Sequence, residues 1–256
     1  MSIRNKVVLL AIIAAIPAVV VLAFVGRIPQ DCGYHDFADR RVVLGIPNFF
    51  DVVSNVGLVA VGLLGVWRLA RGAGEFHDRR ERWPWLVIFG GLTLTGIGSG
   101  YYHWSPSTAT LVWDRLPMTL VTTPLFAALV AERISVRAGL ALLGLLVAAG
   151  MGSVGYWAWT ETLGRGDLRA YALAQYLPLL LVPFVLGLFE ARYTRAASYL
   201  VAVGWYALAK LGEEFDAPVL AAGGWVSGHT LKHLCAAVAL WVVLRMLLRR
   251  RLVARG

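Results

Sequence analysis

The sequence predicts an all-α protein, a polytopic transmembrane helical bundle, on three observations. Of its 256 residues 59% are hydrophobic and only 15% are charged, against about a quarter charged in soluble globular chains. Uncharged runs recur throughout, each near the roughly 20 residues that a helix needs to cross about 30 Å of hydrocarbon. These runs are continuous rather than alternating, which excludes the dyad-patterned strands of a transmembrane β-barrel. The net charge of +9 is scattered between apolar runs and not gathered on one face. It therefore argues against a nucleic-acid partner and reports topology.

Eight spans are predicted, at 7–25, 49–67, 85–103, 112–131, 138–157, 170–189, 197–212 and 227–248. The first follows Arg4 and Lys6, but its apolar core of about 19 residues exceeds the 7 to 15 of a secretory signal. It is read as an uncleaved anchor within residues 1–30. The second opens after Pro47-Asn48, where Asn48 and Asp51 have the spacing of a capping box. The third ends at Ser105-Pro106-Ser107, which breaks the helix and turns the chain back into the fourth. Gly98 and Gly100 suit close helix packing. The seventh closes on Lys210, Glu213, Glu214 and Asp216, with Lys210 and Glu213 spaced to pair along the helix. The eighth begins at Ser227 and runs into a basic tail, 249–256, that reads as a cytoplasmic retention signal near anionic lipid. Cys32 and Cys235 are too few for a disulfide framework and lack CxxC spacing.

Alternate loops divide the 24 basic residues unevenly. Arg4 and Lys6, Arg68 to Arg82, Arg133 and Arg137, Arg192 and Arg195, and Arg245 to Arg255 fall on one side. Only Arg27, Arg40, Arg41, Arg165 and Arg169 fall on the other. The positive-inside rule then places both termini in the cytoplasm and the segments 26–48, 104–111, 158–169 and 213–226 on the periplasmic, exterior or lumenal side.

Titratable side chains inside spans cost about 2.5 to 3.5 kcal/mol each on insertion scales and mark functional sites. Ser99 and His103 are four apart and share a helix face. Asp114 enters the next span from the same side at nearly the same depth. His229 and His233 are again four apart, the spacing at which one face offers two imidazoles to one metal. All of these side chains converge on the outer leaflet. Three neutral nitrogens with an open fourth position describe a catalytic zinc site. The Lys210 to Asp216 cluster is read either as a helix-end ion pair or as an outer layer orienting the histidines.

These motifs resemble the alkaline ceramidase (alkaline phytoceramidase) family, within a wider group of seven-helix membrane hydrolases and progestin and adiponectin receptors. The resemblance runs through Asn48-Phe49-Phe50-Asp51-Val52-Val53-Ser54-Asn55, the spacing from Gly98-Ser99 through His103 to Asp114 with Leu116-Pro117-Met118, and Ser227 to His233. It covers roughly residues 36–248. It implies a seven-helix core within 31–248, with the N-terminal helix as an addition. It also implies zinc on His103, His229 and His233, Asp114 acting on the hydrolytic water, and Ser99 as a hydrogen-bonder in the transition state. A calcium loop precedes the core in relatives; the matching positions here are Asp36, Asp39, Asn48 and Asp51, whose oxygens suit Ca²⁺. Glutamates of the family pattern are missing from that segment.

The implied activity is zinc-dependent cleavage of the N-acyl bond of a membrane lipid, ceramide or another N-acyl lipid, to fatty acid and amine. Two alternatives stand beside it: a lipid-responsive receptor-like protein with little hydrolase activity, and an intramembrane serine hydrolase using Ser99. A transporter is disfavoured by the lack of an internal repeat or an interrupted-helix pair.

Overall fold

A computed structural model describes residues 1–253 of the chain. Among these, the helices in chain order are α1 (Ile3–Phe24), α2 (Phe49–Val53), α3 (Val56–Ala70), α4 (Arg82–Trp104), α5 (Thr108–Arg133), α6 (Val136–Thr162), α7 (Arg169–Leu188), α8 (Ala197–Glu214), α9 (Asp216–Gly223) and α10 (Gly228–Arg249). Extended pairing among the described residues is limited to two isolated bridges, Val43 with Ile46 and Tyr193 with Leu252. The all-α expectation holds. Five helical stretches are long and apolar enough to cross a membrane: Ile3–Phe24, Phe49–Ala70, Val136–Thr162, Arg169–Leu188 and Gly228–Arg249.

Two predicted segments differ in detail. The span expected at 49–67 is broken between α2 and α3. There the Ser54 hydroxyl donates to the Asp51 carbonyl at 3.2 Å, and the Asn55 amide donates to the same oxygen at 2.7 Å. Such side chains compete with the backbone N–H groups for helical carbonyls. The loop expected at 213–226 contains α9, a two-turn helix. The capping box does not form: Asn48 takes a left-handed conformation with φ 47° and makes no side-chain cap.

The contact between α4 and α5 follows from two prolines. Pro117 and Pro124 lie inside α5 and have no N–H to give to the carbonyls of Trp113 and Leu120, four residues earlier. Two glycines of α4 face these freed carbonyls. A Cβ on Gly98 would lie 2.0 Å from the Trp113 oxygen, and one on Gly91 would lie 3.1 Å from the Leu120 oxygen and 2.6 Å from the Leu120 Cβ. The glycine, carbonyl and proline positions all repeat at the same seven-residue interval. The helices can therefore approach closely enough for Cα–H to carbonyl contact. A second close approach joins α8 to α10, where a Cβ on Gly228 would meet the Gly212 carbonyl oxygen at 2.1 Å.

Helix α1 is peripheral. Leu10 is its one buried residue, and the Arg169 guanidinium, at the start of α7, donates to the Leu22 and Val25 carbonyls at its C-terminal end. At the end of the bundle remote from the histidines, Glu132 accepts from the Tyr199 hydroxyl at 2.8 Å and from Arg250 at 2.7 Å. Arg250 is 1% exposed and stacks 3.9 Å over the Tyr193 ring. The beginning of the expected free basic tail is therefore docked, because the Glu132 carboxylate and the Tyr193 face together accommodate a buried guanidinium. Arg255 of that tail lies outside the described residues.

Candidate metal centre

Two helices supply the three imidazoles predicted from sequence, two from one and one from the other, with α2 alongside. His103 comes from the last turn of α4, and His229 and His233 from the first two turns of α10. The local sequence fixes both ends. Ser105 and Pro106 stop α4 immediately after His103, and Ser227 caps α10 by accepting from the Thr230 N–H at 3.0 Å. All three rings are buried, and their candidate ligand atoms lie within 4.8 Å of one another. Ring centroids are 4.7, 4.9 and 5.1 Å apart.

The hydrogen bonds around the rings assign the nitrogen lone pairs. The Ser54 hydroxyl donates to the Asp51 carbonyl, so it accepts the Nδ1–H of His233 at 2.8 Å and leaves Nε2 as the free acceptor. Lys232 Nζ, which can only donate as an ammonium, meets His229 Nε2 at 2.8 Å, so that lone pair is engaged by the lysine and would reach an ion only if the ammonium moved aside. His103 has neither ring nitrogen satisfied. A buried imidazole with two orphaned nitrogens is costly unless a missing partner completes it. A metal ion fits that vacancy in the donor set, and imidazole nitrogens suit zinc, copper, iron or nickel.

Further residues hold these ligands in place. Asp216 accepts the His229 N–H at 2.7 Å and the Ala38 N–H at 2.9 Å, tying the first turn of α10 to the loop before α2. Glu213 accepts from Lys232 at 3.0 Å and pairs with Lys210. The Lys210 to Asp216 cluster thus makes both the ion pair and the outer layer that its sequence offered as alternatives. Phe37 closes the centre, with its ring 4.5 Å from His103 and 4.8 Å from His229.

Ser99 and Asp114 stand where the spacing places them. Ser99 Oγ is 3.4 Å from His233 Nε2, and both side chains line a cavity of about 250 Å³ together with Asp114. That cavity shares Leu58, Thr95, Met118, Tyr206 and Ala236 with a second, of about 110 Å³, whose walls are almost wholly apolar. The pair leads from His233 into the hydrophobic interior.

The residues considered for calcium do not gather into one donor set. Exposed Asp36 pairs with Arg40. Asp39 is buried and held bidentately by Arg41, whose guanidinium pulls its carboxyl below the usual range. The Asn48 amide donates to the His103 carbonyl at 2.8 Å. Asp51 Oδ1 accepts from Ser227 and from Thr230, at 3.2 and 2.6 Å. Asp36 and Asp39 are paired with arginines and Asp51 Oδ1 with hydroxyls, while Asp51 Oδ2 has no partner, and the histidine group is the one cluster of three or more candidate histidine, cysteine or carboxylate ligands among the described residues. Asn48 and Asp51 instead brace the two helices that supply the histidines.

Three residues of the site had no such role in the sequence reading. Lys232 and Arg115 are given no role there, and Ser54 enters only within the motif from Asn48 to Asn55. The three-residue step from His229 to Lys232 was the available signal for the lysine. For Ser54, 179 positions from His233, there was none.

No protein-family model matches the chain, and no curated protein matches it.

Proposed function

We propose that the chain is a zinc-dependent membrane amidase that cleaves the N-acyl bond of a lipid, with ceramide-like lipids as the class that the resemblance favours. The supporting observation is the convergence of three buried imidazoles, one of which, His233, lines a cavity that continues among apolar side chains. An amphiphile fits such a path, with its acyl chain beside Met118 and its amide at the histidines. The proposal includes a seven-helix core, with α2 and α3 as one span followed by α4, α5, α6, α7, α8 and α10, and α1 as an added anchor. Both termini lie in the cytoplasm and the centre faces the outer leaflet.

The three imidazoles would hold the zinc, which would supply Lewis-acid polarisation and lower the pKa of a water toward neutrality. Asp114 accepts the proton of the attacking water and returns it to the leaving nitrogen as the carbon–nitrogen bond breaks. Ser99 donates to the carbonyl oxygen as it gains negative charge. His233 is kept in one tautomer by Ser54, so its coordinating nitrogen is available without rearrangement. The products are a fatty acid and a free amine.

The test is fatty-acid release from a panel of N-acyl lipids by purified protein, before and after metal removal and zinc restoration. Activity lost on chelation, restored by zinc and absent in His229→Ala supports the proposal. Turnover that survives chelation but disappears in Ser99→Ala transfers the role to a serine nucleophile. Specific lipid binding without turnover of any substrate favours the receptor-like alternative.

A further inference from the structure

Arg115 is a charged residue of the cavity that the hydrolytic scheme leaves unused and that no carboxylate pairs with directly. It lies on α5 next to Asp114 and is 6% exposed. Its guanidinium is surrounded by aromatic faces, with the carbon 4.4 Å from the Trp157 ring centroid, 5.1 Å from that of Tyr171 and 5.3 Å from that of Tyr34. Those rings cover its faces, and Nη1 is buried without a hydrogen-bond partner. The nearby carboxylate that could have served, Glu213, already takes Lys210, Lys232 and the Tyr34 hydroxyl. The cavity wall thus holds three cations, Arg115, Lys210 and Lys232, against two carboxylates, Asp114 and Glu213. A metal ion at the histidines would increase that positive excess.

A buried guanidinium with an unpartnered nitrogen is expensive unless an acceptor meets it, and its planar fork matches a carboxylate. The cavity also has a direction. Its apolar extension lies beyond Leu58 and Met118, whereas Tyr34, Ile28 and Leu168 wall the end toward the loops, so Arg115 and Tyr34 stand on the head-group side. From this geometry, and resting on the amidase reading above, we propose that the substrate carries a carboxylate beside the scissile amide: an N-acyl amino acid, whose carboxylate Arg115 binds. A neutral ceramide head group would leave the guanidinium unpaired.

The experiment compares N-palmitoylglycine with its neutral carboxamide, N-palmitoylglycinamide, and with ceramide. Equilibrium binding of the first two, radiolabelled, and hydrolysis of all three are measured on purified zinc-loaded protein. The wild type is expected to bind the acid about tenfold or more tighter than the carboxamide, and to favour it likewise in kcat/KM, as a charge-assisted pair would. Arg115→Gln should erase the preference by weakening the acid alone, and Arg115→Lys should retain part of it. Equal binding of acid and carboxamide overturns the inference, as does an Arg115→Gln loss that falls equally on both. If Arg115→Gln does not fold, the wild-type comparison and Arg115→Lys decide. Hydrolysis of ceramide with no preference for the acid leaves the amidase standing and removes the carboxylate. Selective Arg115-dependent binding with no hydrolysis of any substrate leaves the carboxylate site standing and removes the amidase.

Discussion

Ser54 and His233, 179 positions apart, are joined by a 2.8 Å hydrogen bond, and the serine proton is already committed to the Asp51 carbonyl. The serine therefore dictates which imidazole nitrogen carries hydrogen. Ser54→Ala should lower zinc affinity about 10- to 100-fold, the usual effect of removing a partner of a metal-bound histidine. Competition with a chromophoric chelator measures it. Unchanged affinity would show that the bond does not orient the ligand.

The approach of Gly98 to Trp113 gives a sharp packing prediction. A methyl at Gly98 would lie 2.0 Å from the Trp113 carbonyl oxygen, whereas at Gly100 its nearest neighbour is the Val52 carbonyl oxygen at 3.9 Å. Gly98→Ala should destabilise the protein by about 1 to 3 kcal/mol or more, as overpacking does, and Gly100→Ala by far less. Equilibrium unfolding in mixed micelles compares the two variants. Similar losses would mean that α4 and α5 do not rely on this contact.

The loop before α7 predicts an acid transition. Asp167 is held down to about 2 chiefly by the Arg169 guanidinium, from an ordinary value of 3.8. Because the folded-state pKa is depressed, the pair's stabilisation is present above the unfolded value and is lost as pH falls through the folded one. The shift corresponds to roughly 2 kcal/mol at most. Arg169 also holds the carbonyls at the end of α1, so the distance distribution between spin labels on α1 and α7 should broaden between about pH 4 and pH 2. Asp167→Asn should show the broader distribution already at neutral pH, with no further step in that range.

The apolar extension predicts control of chain length. Leu125 lines its wall away from the histidines. Leu125→Trp should fill that end and reduce kcat/KM for a palmitoyl substrate about tenfold while sparing an octanoyl one, since each methylene excluded forfeits roughly 0.8 kcal/mol. Profiling a series of acyl chains checks this. A uniform loss across the series would place the chain elsewhere.

The helices and the histidine cluster were legible because each rests on a short-range pattern. Apolar length marks a helix, and a four-residue step puts Ser99 with His103 and His229 with His233 on common faces. The break at Ser54 and Asn55 was not legible, because it depends on two side chains choosing the Asp51 carbonyl over solvent. The role of Asp51 was equally hidden. Its spacing from Asn48 suggested a local cap, and the partners that claim it, Ser227 and Thr230, arrive from the other end of the chain. Arg115 resembled any basic residue near a span until three aromatic rings from different segments closed around it.

The glycine contacts divide the centre into two preassembled halves. Gly98 seats α4 on α5 and so places Ser99, His103 and Asp114 on one unit, while Gly212 and Gly228 seat α8 on α10 and place Glu213, Lys232, His229 and His233 on the other. An ion shared among the histidines is then a clasp between two jaws that are each already formed. Its removal would let the jaws drift apart without melting either, so the work of the metal would include holding nucleophile, proton carrier and ligands in a single frame.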